Sequence, residues 1–316
     1  PAPAPAQPGV TVVDDVAVET LRPYIDWTPF LHAWQIRASY PGVLDDPGKA
    51  PAARQLLDDA AAMLDRLAGA DGLAPRGVAG LFPAAADGDD VIVYADAEGA
   101  RERTRVHFLR QQTEKPAGRP NLCLADYVAP AAGGALDWIG GFAVTAGTGT
   151  AALVRRLREA NDDYGAILVE SLADRLAEAF AEYLHERVRR ELWGYAPDEA
   201  LDNAALIGER YRGIRPAPGY PACPEHTEKA ILWELLDAQR HTGIRLTEHY
   251  AMDPAAAVSG FYLAHPQAAY FGLGPIGHDQ AADYAARKGW SREEAQRWLG
   301  PSLADDAAGA PTARTA

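Results

Sequence analysis

The stretch DWIGGFAVTAGTGTAA, residues 137–152, decides the fold class. Its first part, Asp137 to Ala146, is an apolar run that predicts a buried strand. Gly147-Thr148-Gly149 follows, with Ala152 in phase and a helix-forming run beyond, so the segment spells G-x-G-x-x-A after a strand. Dinucleotide-binding α/β folds cradle a pyrophosphate with such a turn. The same residues suit a Gly-Thr connection in an antiparallel fold. The neighbouring sequence chooses between them. Arg76–Phe82 and Asp90–Ala95 flank AAADGD and predict an antiparallel hairpin. Val258–His265 and Ala269–Leu273, joined by Pro266-Gln267, predict another. No strand–helix–strand alternation surrounds the glycines. The fold class is therefore α+β, a single domain with an antiparallel sheet, hairpins and several long helices. A dinucleotide oxidoreductase rests on the glycines alone.

The helices follow from apolar spacing. Asp162 to Trp193 carries Leu168, Leu172, Leu176, Phe180, Leu184 and Val188 at every fourth position, which predicts one long scaffold helix. Glu178 falls off that stripe. Pro51–Ala68 predicts a second helix, and Ala204–Arg212 a short one. Thr28-Pro29 predicts an N-cap and first helical position, with Asp26 just before it, which its local pattern reads as a capping or turn residue. Arg105–Gln112 is open between strand and helix. Ser291 with Glu294 predicts a capping box for the last helix. At the start, PAPAPAQPG predicts an extended linker over residues 1–15, with something preceding it. The domain then covers 16–306, and 307–316 is an Ala-rich tail expected to be disordered.

Totals narrow the function. Of 316 residues, 48% are hydrophobic and 23% charged, enough for a sizeable core. The net charge of -14 argues against nucleic-acid and anionic-membrane partners. No apolar run reaches the ~20 residues of a membrane helix. The N-terminus lacks the basic start and apolar core of a signal peptide, and a cytoplasmic location is expected. Cys123 and Cys223 are too isolated for a disulfide framework or a zinc site, so no metal ligands are assigned.

One stretch promises a binding site: RPAPGYPACPEHTEK, residues 215–229. Pro216, Pro218, Pro221 and Pro224 stiffen it, and Gly219 is free to take positive φ. A stiff segment loses little entropy when a ligand settles on it. Pro224 fits a first helical position, with Glu225 and Glu228 in the first turn. Cys223 near His226 raises a thiol nucleophile, but no reaction evident here needs one.

Together with YIDWTPF (24–30), PRGVAGLFPA (75–84), LRQQTEK (109–115), LADYVAP (124–130), ADRLAEAFAEYLHERVR (173–189) and WGYAP (193–197), this stretch resembles the C-terminal activation domain of cobalamin-dependent methionine synthase. The resemblance covers roughly Val16 to Asp306. The D-x-H-x-x-G signature of that enzyme's cobalamin module is absent. The resemblance implies a fragment that binds S-adenosylmethionine, with cobalamin held mainly by another module of the same protein. It implies reductive methylation: inactive cob(II)alamin takes one electron from flavodoxin or a related flavin reductase, then a methyl group from S-adenosylmethionine. Full methionine synthesis from homocysteine would need the missing modules. By the same resemblance, Arg215 pairs with the ligand carboxylate and Asp26 lies on the α-ammonium side. Ala217 offers backbone groups, Tyr220 a ring wall, and Tyr270 and Phe271 an aromatic pair on the late hairpin. Glu178 and Glu209 are acids near the sulfonium or ribose. His226, Tyr220, Ser259 and Gly260 are expected to face the cobalamin. No catalytic side chain is assigned. From charge alone, the arginines near 187–190 read either as the solvated end of a helix or as a local patch for the reductase. The alternative is a free-standing S-adenosylmethionine-dependent methyltransferase with its own small-molecule acceptor.

Overall fold

Antiparallel pairing builds the frame of the computed structural model, which describes residues 1–14, 16–68 and 73–304. The strands are β1 (Gly9–Val13), β2 (Arg76–Asp87), β3 (Asp90–Tyr94), β4 (Glu102–His107), β5 (Asp137–Thr145), the two-residue β6 (Arg245–Leu246) and β7 (Met252–Asp253), and β8 (Ala257–Tyr262). The large sheet has the order β4-β3-β2-β5-β8, with β1 also on β2. β5 lies between β2 and β8, antiparallel to both. No parallel crossover therefore follows the glycine turn, and the dinucleotide reading falls. Gly149, with φ +99, is the N-cap of helix α4 (Thr150–Glu159), which comes after α1 (Val18–Leu21), α2 (Trp27–Ala33) and α3 (Ala50–Leu67) in the chain.

Both faces of β2 and β5 are covered, which is why β5 is apolar without alternation. Ala79, Leu81, Phe142 and Val144 join the core of helix α5 (Asp163–Arg187), where Leu168, Leu172, Leu176, Phe180 and Leu184 are buried. Val78, Phe82, Ile139 and Ala143 meet Leu232, Leu235 and Leu236 on the opposite face. Those leucines belong to α7 (Glu228–Leu236), which follows the short α6 (Asn203–Ile207). Asp237 takes φ +48 and breaks α7 from α8 (Ala238–Thr242), so Gly243 caps a separate helix. The fold ends in α9 (His278–Lys288) and α10 (Arg292–Leu299), the latter with the Ser291–Glu294 capping box.

Three expectations change. The start of the chain is docked: Pro5 is buried, Trp193 Nε1 donates to the Pro3 carbonyl at 2.9 Å, and Gly9–Val13 is a sheet strand, not linker. Helix α2 begins two residues early, with Asp26 as its N-cap. Pro29 then sits third in the helix, still inside the first turn whose N–H groups have no helical acceptor. The hairpin expected over Ala269–Leu273 does not form. The edge of β8 that it needs is taken by Ile214, bridged to Leu263, and by the Pro216 carbonyl, which accepts from Phe261 N at 2.8 Å. The Arg105–Gln112 ambiguity resolves into β4 up to His107. The tail 307–316 lies outside the described residues.

Candidate functional site

The proline-rich stretch is both sheet edge and loop. Proline cannot donate to a ladder, but its carbonyl accepts, and Pro216 uses that freedom. Gly260 lies beneath it: a Cβ there would meet the Pro216 oxygen at 2.6 Å. A tight turn follows, with Tyr220 N donating to the Ala217 carbonyl at 3.1 Å and Gly219 N to that of Cys223 at 2.7 Å. Gly219, at φ +100, leaves no room for a side chain under His226. Because α7 begins only at Glu228, that acid stands in its first turn while Glu225 precedes the helix, and both are buried and paired. Lys288 on α9 bridges Glu225 and Glu228, and Tyr284 donates to Glu225 at 3.1 Å. Burial raises the Glu228 carboxyl, with Lys288 opposing.

Beside this loop is a cleft of about 450 Å³. Its walls include Glu178, Glu209, Arg215, Ala217, Tyr220, Tyr270 and Phe271, seven of the eight residues assigned from sequence to the ligand. Four separate segments supply them. Glu178 comes from α5, one face of which it leaves toward the cleft. Glu209 follows α6 and holds a left-handed backbone, φ +53, which a non-glycine residue adopts at some cost. The segment carrying Tyr270 and Phe271 is irregular but pinned. Tyr127 OH donates to the Ala269 carbonyl at 3.2 Å, Gln111 Nε2 to that of Gly272 at 2.6 Å, and Leu273 N to that of Pro221 at 2.8 Å. Tyr270 OH accepts from Arg215 N at 3.0 Å.

Asp26 is the eighth residue and does not line this cleft. Its Oδ1 accepts from Thr28 N at 2.9 Å, the cap of α2. The expected cobalamin-facing set also divides. Tyr220 is 57% exposed, and His226 is exposed beside it. Ser259 and Gly260 are buried within β8, opposite Ala143 and Phe142 of β5, so neither faces an opening. Burial pushes the Cys223 thiol well above its usual range, which removes it as a nucleophile. The arginines at 187–190 are no free basic patch. Arg189 is fully buried against Glu199 at 2.6 Å, Arg190 pairs with Glu186 and Arg187 with Glu191.

The sequence reading missed the partners of Arg215. Glu182 Oε2 lies 2.7 Å from its Nη2, Tyr211 OH accepts from Nη1 at 2.7 Å, and His185 Nδ1 stands 3.3 Å from Nη1. A signal existed for two of them. Glu178, Glu182, His185 and Arg189 are spaced four, three and four apart, a polar stripe on a helix otherwise read only for its leucines. Tyr211 carries no such mark. A larger cavity, about 760 Å³, lies further along α5 between Asp174, Arg155 and Asp253–Ala256. Among the described residues no cluster of His, Cys, Asp and Glu is set to hold a metal, and no helix is long and apolar enough to cross a membrane.

An antiparallel α+β frame with a charged, aromatic-walled cleft under a stiff proline loop defines a small-molecule-binding domain. The chain belongs to the family described as vitamin B12 dependent methionine synthase, activation domain, whose model matches residues 17–289. It is also similar to a solved MetH reactivation domain bound to AdoHcy. The two are 53% identical with a TM-score of 0.94, over 96% of this chain and 93% of that one.

Proposed function

We propose that this domain binds S-adenosylmethionine and serves the reductive reactivation of a cobalamin-dependent methionine synthase. One observation carries the reading: seven residues from four segments close on a single cleft of about 450 Å³. The ligand brings a carboxylate, an ammonium, a sulfonium and an adenine. Arg215 offers the guanidinium for the carboxylate, and Asp26 is assigned to the ammonium side. Glu178 and Glu209 put negative charge where a sulfonium gains from it. Tyr220, Tyr270 and Phe271 supply ring surface, and Ala217 its backbone. Cobalamin, carried by another module of the same protein, supplies the nucleophile that accepts the methyl group. The residues of this chain bind and orient the donor and leave its methyl toward the side where Tyr220 and His226 are exposed. A flavodoxin or related flavin reductase is the proposed electron source, and a cytoplasmic setting follows from that role. The isolated domain does not by itself make methionine from homocysteine.

Calorimetry tests this directly. The chain should take up S-adenosylmethionine one to one and show no heat with NAD(H). Loss of the sulfonium charge makes S-adenosylhomocysteine the weaker ligand. Tight NAD(H) binding, or no S-adenosylmethionine binding, would sink the proposal.

A further inference from the structure

Arg215 is surrounded by more buried polar chemistry than a binding wall requires. Glu182, His185 and Arg189 occupy one face of α5 and its continuation, and are 7%, 0% and 0% exposed. His185 stacks on Tyr262 with ring centroids 5.1 Å apart, and meets the edge of Tyr211 at 4.9 Å. The Arg189 guanidinium lies 4.3 Å over the Tyr211 ring and is clamped through Nε and Nη2 by Glu199. Burying such groups is costly unless they are paired. Among the described residues Glu182 Oε1, His185 Nε2, Arg189 Nη1 and Tyr262 OH are buried with no hydrogen-bond partner. What the cluster does fix is the plane of one side chain. A guanidinium only donates, so His185 Nδ1 accepts from Arg215 and the imidazole proton sits on Nε2. Three of the five N–H donors of Arg215 are then committed, to Tyr211, His185 and Glu182. Two remain without a partner among the described residues, the number a carboxylate takes in a bidentate contact.

We propose that Glu182 and Tyr211 are positioning residues, which hold the Arg215 guanidinium so that its two uncommitted N–H groups meet the carboxylate of an amino-acid-bearing ligand. This rests on the reading of the cleft as an S-adenosyl ligand site. Glu209 and Glu178 face the same region from the cleft, and Arg189 with Glu199 from behind.

The test is calorimetry on the whole chain with S-adenosylhomocysteine, comparing wild type, Glu182→Gln, Tyr211→Phe and Arg215→Ala. Each positioning variant should weaken binding by about tenfold, as a charge-assisted contact turns neutral or is lost. In the Arg215→Ala background neither change should cost more, within about twofold. 5′-Methylthioadenosine, which has no carboxylate, should bind the positioning variants as it binds wild type. Equal losses for both ligands, or losses that persist without Arg215, would mark the cluster as merely structural and overturn the proposal. Unchanged or tighter S-adenosylhomocysteine binding in Glu182→Gln would overturn it too, because Glu182 would then be idle or a competitor. Tyr211→Phe keeps the test decisive if Glu182→Gln fails to fold. A wild-type chain that binds neither ligand would bring down the cleft assignment itself, a distinct result.

Discussion

Arg215 and Asp26, the two residues proposed to meet the charged ends of the ligand, are both already bonded within the fold. Arg215 is at once a wall of the cleft and the hub of a buried network. Truncation to alanine should cost S-adenosylmethionine affinity of about 1.5–3 kcal/mol, the range for a hydrogen bond to a charged group. Asp26 caps α2, and asparagine is an equally good cap. Asp26→Asn should therefore leave the thermal midpoint in place, and any lost affinity reports the carboxylate charge alone. If binding to Asp26→Asn matches wild type, the ammonium assignment is wrong. Sequence motifs singled out both residues, yet not what they touch. Arg215 meets Glu182 across 33 positions of chain, a pairing that no local pattern encodes.

Among the elements, those made by local physics were readable. The fourfold spacing of leucines set out α5, and the Ser291–Glu294 pair set out α10. The segment at 269–273 was not readable, because its shape is decided by competition for the β8 edge. Its stability is likewise owed to distant groups. Gln111, in the LRQQTEK motif, donates to the Gly272 carbonyl and accepts from Leu122 N at 3.0 Å. Replacing it with leucine strands two backbone groups and should cost about 2 kcal/mol or more. Hydrogen exchange should rise over residues 269–273, with the denaturant midpoint lowered. Unchanged protection there would show that Tyr127 and Pro221 suffice as anchors.

For the molecule as a whole, buried imidazole sets a pH response. Burial first, then the charges of Arg189 and Arg215, holds the His185 pKa well below its usual value. On unfolding it returns to about 6.5. Below that pH the unfolded chain binds a proton that the native one refuses. The contribution of His185 to stability is thus complete above about pH 7 and falls as pH drops, by up to ~1.4 kcal/mol per unit. Urea midpoints between about pH 7.5 and about pH 5.5 should decline for wild type and less steeply for His185→Phe. Parallel curves would show that other groups govern the response.

The placement of Pro216 on β8 has a consequence for self-association. An open edge strand offers unpaired N–H and carbonyl groups to any foreign strand. Here the outermost segment, Ile214 to Ala217, offers little: Pro216 has no N–H, Arg215 N is spent on Tyr270 OH, and the Ala217 carbonyl on Tyr220 N. The loop that walls the cleft thereby also closes the β8 edge of the sheet to foreign strands, so Pro216 guards that edge against aggregation in the same stroke.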